Sequence, residues 1–171
     1  SRLGDRPFME KPVVSVLFCC LGNICRSPTA HGVFESKVTE LGMAARIYTD
    51  SCGTGGWHVG EPPDSRATNA ARQRGYDLSS LRARQVQADD FQRFDYILAM
   101  DHQNLQDLTA MCPGNYTGRL GLFLSFAEGA REEEVPDPYY GGAHGFSHVL
   151  DLVEAASDGL LREIARAHPA R

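Results

Sequence analysis

The amino-acid sequence predicts an α/β fold of the doubly wound type, with a four-stranded parallel sheet and helices on both faces. Short, nearly continuous apolar runs rich in β-branched residues, such as 13–19, are typical of strands buried in a parallel sheet. These runs alternate with segments whose apolar residues recur at helical spacing, which favours parallel strands joined by helical crossovers. The length of 171 residues suits one domain with its own core.

The same patterns predict four strands and five helices. The predicted strands lie at 13–19, 47–49, 96–100 and within 120–126. The first helix is predicted to have Ser27 as its N-cap and Pro28 at its first position, and to end at Gly42. The other predicted helices run from Pro62 to Gly75, around 91–94, through Leu105 and Leu108, and from Phe146 to Ile164. The polar segment 127–145, rich in Pro, Gly and Tyr, is predicted to be a loop.

Composition and charge exclude several classes of protein. The net charge of -5 argues against a nucleic-acid binder, although a locally positive pocket can still bind anions. No apolar run approaches the roughly 18 residues of a membrane span. The 5 cysteines, an odd number with Cys19 and Cys20 adjacent, favour reduced thiols and a cytoplasmic location. Residues 1–11 are predicted to be a disordered or artificial leader, and 12–171 one domain. Neither a metal nor a cofactor is predicted, since no His/Cys/Asp cluster has suitable spacing.

The loop between the first strand and the first helix has the composition of a phosphate site. A helix N-terminus offers unpaired N–H groups and a partial positive charge, and successive loop amides can form a concave anion nest. Gly22 and Asn23 are the residue types best able to adopt positive φ values. Arg26 can grip two phosphate oxygens with its planar guanidinium. The predicted substrate-binding residues of this loop are Leu21, Gly22, Asn23, Ile24, Cys25 and Ser27.

Cys20, at the mouth of this loop, is the predicted nucleophile. The positive field that favours phosphate also favours the thiolate, so no separate base is needed. Ser27 can donate a hydrogen bond to the sulfur and help it leave. A lone cysteine at a strand end would more often be a small packing residue. The arginine six positions later, followed by Ser-Pro and lying between a strand and a helix, favours the catalytic interpretation.

The segment 16–28 reads VLFCCLGNICRSP and resembles the signature of the low-molecular-weight protein tyrosine phosphatases. The resemblance extends over nearly the whole chain from about residue 12. Further matching segments are Asp50-Ser51, Trp57 with Val59-Gly60, Pro63-Asp64-Ser65-Arg66-Ala67, Ala83-Arg84-Gln85, Phe94-Asp95-Tyr96-Ile97-Leu98, Met100-Asp101, Asn104-Leu105 and Pro136-Asp137-Pro138-Tyr139.

The resemblance implies a metal-free, two-step hydrolysis of phosphotyrosine through a cysteinyl-phosphate on Cys20, with Arg26 holding the phosphate. It also implies that Asp137 acts first as general acid and then as general base, a role typically worth about 10²–10⁴-fold. By residue type alone, Asp137 would be a solvated turn aspartate. The expected partner is a tyrosine-phosphorylated protein, with inorganic phosphate or oxyanion inhibitors in the loop. The protein is expected to be a monomer.

Supporting residues follow from the same resemblance. Trp57, Tyr139 and Tyr140 match aromatic positions at the rim of the site, where they would stack on the substrate ring; ordinary packing is the alternative. Asn23 and Ser51 match residues that brace the loop by hydrogen bonds. The chain departs from the pattern at Leu81, where some members of the family have a histidine that joins the brace.

For Cys25 and for the glutamate run 132–134, the sequence leaves two interpretations open. Cys25 matches a cysteine that can pair with the nucleophile under peroxide, and a buried structural role is equally favoured. The run 132–134 of three glutamates before Asp137 either repels acidic substrates or is a solvated loop, and the second interpretation is favoured. The six histidines form no obvious site.

Three other functions compete with phosphotyrosine hydrolysis. An arsenate reductase uses a similar loop but would need resolving cysteines near 90–100, and none is present there. A protein-arginine phosphatase would have threonine in place of Ile24. A non-catalytic phosphate-binding module is disfavoured because Cys20, Arg26 and Asp137 are all present. The loop also lacks the G-x-G-x-x-G pattern of a dinucleotide-binding fold.

Overall fold

The computed structural model describes residues 13–138 and 141–169. Its strands are β1 (Val14–Cys20), β2 (Ile47–Gly53), β3 (Tyr96–Ala99) and β4 (Arg119–Leu122). Its helices are α1 (Arg26–Glu40), α2 (Ser65–Gln73), α3 (Asp90–Arg93), α4 (His102–Met111) and α5 (Gly142–Ala167). A 3-10 turn, Phe123–Phe126, follows β4. The predicted leader, 1–11, lies outside the described residues.

The four strands are parallel and lie in the order β2-β1-β3-β4. Strand β1 is therefore flanked on both sides. Its last residue, Cys20, pairs with Gly53 at the end of β2, and Cys19 pairs with Ala99 at the end of β3. The carboxyl ends of three strands meet around the loop that follows β1, which is the edge where open parallel sheets bind ligands.

Helices cover both faces of the sheet, which confirms the predicted fold class. On one face, α1, α2 and α5 enclose a core in which the Phe18 ring meets Phe34 and Phe123 edge to face, at centroid distances of 5.5 and 4.9 Å. On the other face, Phe91 of α3 and Leu108 of α4 belong to a second buried cluster. Every residue of β1 is buried, so the loop at its end starts from a fixed point. No helix in the described ranges is long and apolar enough to cross a membrane.

The start of α1 differs from the prediction. Cys25 is the N-cap and makes no side-chain capping bond, while Ser27 lies inside the helix. The prediction of Ser27 as N-cap was wrong because its hydroxyl contacts the sulfur of Cys20 and the carbonyl of Cys52 instead of a helix N–H. The helix consequently begins at Arg26, so that this side chain leaves from the first turn.

Two further boundaries also differ. Strand β4 begins at Arg119, one residue before the range predicted to contain it, and ends at Leu122, which pairs with Ala99 at the end of β3. The 3-10 turn that follows buries three large apolar side chains, Phe123, Leu124 and Phe126. Helix α5 begins at Gly142, so the prediction that 127–145 is entirely loop was wrong for its last four residues. The glycine-rich start of α5 has no apolar periodicity that could have indicated a helix.

Candidate active site

The loop between β1 and α1 curves around the sulfur of Cys20. The main-chain N–H of Asn23 donates to Cys20 Sγ at 3.3 Å. Among the described residues, Asn23 is the one non-glycine with positive φ, at 56°, a conformation that asparagine tolerates better than most residues. Gly22 does not take a positive φ; a Cβ there would lie 3.0 Å from the His58 ring. The two residues therefore serve the loop for different reasons: Asn23 permits the turn, and Gly22 leaves room for a neighbour.

Ser27 lies beneath the buried thiol of Cys20. Its Oγ is 2.9 Å from Cys20 Sγ, and it accepts a bond of 2.8 Å from Asn23 Nδ2. The Ser27 hydroxyl also donates to the carbonyl of Cys52 at 3.2 Å. A protonated thiol can donate to Ser27 while the Ser27 hydrogen goes to Cys52, whereas a thiolate can accept the Ser27 hydrogen once the hydroxyl turns from Cys52 to the sulfur. The geometry thus allows the predicted donation to sulfur.

The side chain of Asn23 is held by Arg84. Asn23 Oδ1 accepts from the main-chain N–H of Arg84 at 3.0 Å, and the guanidinium donates to Asp50 and to both oxygens of Asp90 at 3.0–3.1 Å. Burial lowers the pKa of Arg84, but the bond to Asp90 and the charge of Asp50 outweigh it and raise the pKa overall. Sequence reasoning gave Arg84 no role, because Asp50 is 34 residues away and nothing in the sequence marks Asp90, 6 residues away, as a partner.

Ser51 and Leu81 support the site less directly. Ser51 Oγ lies 2.9 Å from Nδ1 of the buried His31, so its hydrogen bond ties β2 to α1 behind the loop instead of reaching the loop itself. Leu81 packs against the core beneath α1 and α5. The bond between Asn23 and the main chain of Arg84 is made without any contribution from position 81. His31 was missed because nothing in the sequence marks it as a partner of Ser51.

Arg26 crosses from α1 towards β3 and the segment before Asp137. Its Nη1 donates to Asp101 Oδ2 at 2.7 Å and to the carbonyl of Val135 at 3.1 Å. Burial lowers the pKa of Arg26, while the charges of Cys20, Asp101 and Asp137 outweigh it and raise the pKa overall. The guanidinium therefore stays charged and is held in place before any substrate arrives.

Asp101 is a site residue that sequence reasoning missed. It is the N-cap of α4, and its Oδ1 accepts from the N–H of Asn104 at 2.7 Å while Oδ2 accepts from Arg26. One carboxylate thus serves a helix N-terminus and the buried arginine together. The sequence signal was an aspartate before a helix, which gives no hint of a partner 75 residues away.

A cavity of about 330 Å³ opens above the loop. It is lined by Cys20, Leu21, Gly22, Ile24, Cys25, Arg26, Trp57, His58 and Asp137. The structure thus brings the three predicted catalytic residues, Cys20, Arg26 and Asp137, to one cavity. Asn23 and Ser27 lie beneath it as supports. His58 was not predicted; its Nδ1 lies 2.7 Å from Glu61 Oε2.

The predicted rim is described in part. The indole of Trp57 is 73% exposed and lies over Gly55, where a Cβ would collide with the ring. A broad aromatic face therefore stands open beside the cavity. Tyr139 and Tyr140 lie outside the described residues. Among the described residues, no group of three or more His, Cys, Asp or Glu side chains could hold a metal ion.

Cys25 lines the cavity but differs in character from Cys20. Burial first, and then the charges of Asp64, Cys20 and Asp137, raises the pKa of Cys25 to about 12. It therefore keeps its proton at neutral pH. A protonated thiol is a poor nucleophile, so Cys25 does not compete for phosphorus.

Comparisons with known proteins agree with this architecture. Residues 15–170 match the model of a family described as low molecular weight phosphotyrosine protein phosphatase. A putative low molecular weight protein-tyrosine-phosphatase of Synechocystis is 44% identical, over 90% of this chain and 98% of the relative. A crystal structure of a protein tyrosine phosphatase from Entamoeba histolytica has a TM-score of 0.86 at 38% identity, over 90% of this chain and 98% of that one. A Drosophila arginine phosphatase has a TM-score of 0.81 at 32% identity, over 86% and 96%.

The fold and the loop after β1 define a phosphatase with a phosphate-binding loop at the carboxyl edge of a parallel sheet. The family match covers nearly all of the chain and includes that loop. This chain belongs to the low-molecular-weight phosphotyrosine protein phosphatases.

Proposed function

We propose that this protein hydrolyses phosphotyrosine in protein substrates, with Cys20 as nucleophile, Arg26 as phosphate-binding group and Asp137 as general acid and base. One observation carries the proposal: these three side chains line a single cavity at the carboxyl edge of the sheet. Membership of the family supports the substrate class.

In the first step, Cys20 Sγ attacks phosphorus, so that an S–P bond forms and the P–O bond to the tyrosyl oxygen breaks. Asp137, in its acid form, gives its proton to the leaving oxygen. Arg26 and the loop amides stabilise the charge on the equatorial oxygens. The thiolate is supported by the Asn23 N–H at 3.3 Å and by the Ser27 hydroxyl at 2.9 Å.

In the second step, the Asp137 carboxylate takes a proton from water as the water oxygen attacks phosphorus. The S–P bond breaks, inorganic phosphate is released and Cys20 leaves as thiolate, with Ser27 donating to the sulfur. Proton and charge balance over the cycle, because Asp137 regains the proton that it gave to the phenol. The chemistry uses only the residues of this chain and water.

The predicted substrate contacts remain part of the proposal. The exposed indole of Trp57 offers a surface on which a phosphotyrosine ring can stack, and Tyr139 and Tyr140 are proposed to complete that rim. Inorganic phosphate and related oxyanions are expected to inhibit by occupying the loop. A cytoplasmic location and a monomeric state are proposed from the reduced thiols and the size of the chain.

Phosphoarginine is the rival substrate, since a similar fold occurs in a Drosophila arginine phosphatase. In this chain Ile24, an apolar residue, lines the cavity at the position where threonine would favour a phosphoramidate. Matched peptides carrying phosphotyrosine or phosphoarginine distinguish the two functions. We expect a higher kcat/KM for phosphotyrosine, and a preference for phosphoarginine would contradict the proposed substrate.

The direct test of the proposed nucleophile is Cys20→Ser, with Cys25→Ser as matched control on the same loop. We expect Cys20→Ser to abolish hydrolysis of p-nitrophenyl phosphate, because the serine hydroxyl is not ionised at neutral pH. Cys25→Ser should keep most of the activity. Comparable activity in the Cys20→Ser variant would disprove the assignment.

A further inference from the structure

Three consecutive glutamates lead to the proposed acid, and the structure ties the last of them to a helix. We name 132–135, the three glutamates and Val135, the strap. Glu134 Oε2 accepts a bond of 2.8 Å from the main-chain N–H of His102, the first residue of α4. A carboxylate at a helix N-terminus is favoured by the unpaired N–H groups and the partial positive charge there.

The other two glutamates have histidine partners. Glu133 Oε1 lies 3.5 Å from His102 Nε2. Glu132 Oε2 lies 3.1 Å from Nε2 of His148, which belongs to α5. Glu133 and Glu134 are exposed and Glu132 is half-buried, and each of the three carboxylates contacts a side chain or a main-chain group of a helix. Exposed pairs of this kind contribute little singly, but here three of them act on consecutive residues.

The strap ends in a buried anchor next to the proposed acid. The N–H of Val135 donates to the carbonyl of Met100 at 2.8 Å, and its own carbonyl accepts from Arg26 at 3.1 Å. Pro136 then fixes its own φ and restricts the residue before it. Asp137 is therefore two residues from a point that is held both to the end of β3 and to the phosphate-binding arginine.

We propose that Glu134 is a positioning residue for Asp137. Its bond to the N–H of His102 holds the exposed part of the strap against α4, so that Asp137 occupies a narrow range of positions in the cavity. The inference rests on the proposed role of Asp137. It also gives the last glutamate of the run a role within the protein, in addition to being part of a solvated loop.

The test compares two substrates that differ in their need for an acid. Phenyl phosphate has a poor leaving group and depends on protonation, whereas p-nitrophenyl phosphate has a good one and depends on it less. The value measured is the ratio of kcat/KM for the two substrates. Asp137→Asn serves as reference for complete loss of the acid, and Glu134→Ala is the variant under test.

Two further variants control for general effects. Glu134→Gln keeps an oxygen that can accept from the His102 N–H, so it should restore most of the ratio. Glu128→Ala removes another exposed glutamate of the same connection, one whose carboxylate lies near Arg162 of α5 at 3.5 Å and not near α4. A thermal melt of each variant verifies that the fold is kept.

We expect Asp137→Asn to lower kcat/KM for phenyl phosphate selectively, by up to the about 10²–10⁴-fold of a full general acid. Glu134→Ala should lower kcat/KM for phenyl phosphate by about 3- to 10-fold relative to kcat/KM for p-nitrophenyl phosphate, which is a fraction of the effect of a full general acid. Glu134→Gln and Glu128→Ala should stay near the wild-type ratio.

Two results would overturn the inference while leaving the proposed function intact. In the first, Asp137→Asn shows the selective loss but Glu134→Ala keeps the wild-type ratio. In the second, Glu134→Ala lowers kcat/KM for both substrates by the same factor, which indicates an effect on binding or folding. If Asp137→Asn itself shows no selective loss, the acid assignment fails and the inference fails with it.

Discussion

The loop that surrounds Cys20 and the strap that leads to Asp137 are held in opposite ways. The loop is built on buried contacts: Asn23 bonds to Ser27 and to Arg84, and Ser27 bonds to the carbonyl of Cys52. The strap is held at the surface by glutamates, with a single buried anchor at Val135. The proposed nucleophile and phosphate site are thus held by buried contacts in the protein alone, while the proposed acid follows a segment whose contacts lie at the surface.

The difference between the loop and the strap matches their different tasks in the proposed mechanism. A phosphate nest must be preorganised, because its dipoles stabilise charge only if they do not have to reorient. A general acid must reach the leaving oxygen of substrates that differ in size. A segment that is held mainly by surface contacts, such as the strap, is sufficient for that task. Arg26 links the loop to the strap, since it follows the loop and binds both Asp101 and the carbonyl of Val135.

The largest effect is expected for Arg26→Lys, which breaks the link between the loop and the strap. Lysine keeps the charge but cannot bind Asp101, Val135 and phosphate with one planar group. We expect kcat/KM for p-nitrophenyl phosphate to fall by about 10²–10³-fold, as for loss of a charge-stabilising donor. Arg162→Lys, on the surface of α5, is the control. A loss of less than tenfold would show that a point charge is enough.

The next effect concerns the brace of the loop. Asn23→Ala removes the bonds to Arg84 and Ser27 and also forces alanine into a positive φ, so we expect a loss of about 1–3 kcal/mol in the free energy of unfolding. Asn23→Gly loses the same bonds but tolerates the φ of 56°. Its loss should therefore be smaller. Urea unfolding measures both variants, and equal losses would remove backbone strain from the explanation.

A smaller effect is expected for Asp101→Asn. Asparagine is an equally good N-cap, so α4 should remain intact. The bond to Arg26 loses its charge assistance, which is worth about 1 kcal/mol or a few-fold in binding. We expect KM for p-nitrophenyl phosphate to rise by about 3- to 10-fold with a melting temperature close to wild type. An unchanged KM would mean that Val135 alone holds the guanidinium.

The smallest effect is expected at Cys25. Because burial raises its pKa to about 12, the thiol stays protonated through the neutral range and loses its proton only when the pH rises towards that value. Iodoacetamide at pH 7 should therefore label Cys20 and spare Cys25, and Cys25→Ser should leave the alkylation rate unchanged. Peptide mass mapping distinguishes the two thiols. Preferential labelling of Cys25 would contradict the burial argument.

The sequence predicted the parts of this site that are local. Cys20, the loop and Arg26 lie within one strand–loop–helix unit, where residue type and spacing carry the information. Asp137 could be named only through the resemblance to a family, because a loop aspartate between prolines has no local mark of catalysis. The fold class followed from periodicity, which is a property of neighbouring residues.

What the sequence did not reveal depends on distant partners. Asp101 and Arg84 contact side chains far away in the chain, those of Arg26 and Asp50. Ser27 was predicted to be a helix cap because the sequence gives no sign of the Cys52 carbonyl, to which its hydroxyl donates. The glutamates of the strap form a charged run, which by composition indicates a solvated loop. Only the position of α4 and α5 turns them into contacts.

The most direct measurement is a search for phosphate on sulfur. Asp137→Asn should slow the second step, so that mixing it with p-nitrophenyl phosphate and quenching within milliseconds enriches the intermediate. Mass spectrometry of the digested protein should then find one phosphoryl group on the peptide that contains Cys20. If that peptide stays unmodified while product accumulates, water attacks the substrate directly and Cys20 is not the nucleophile.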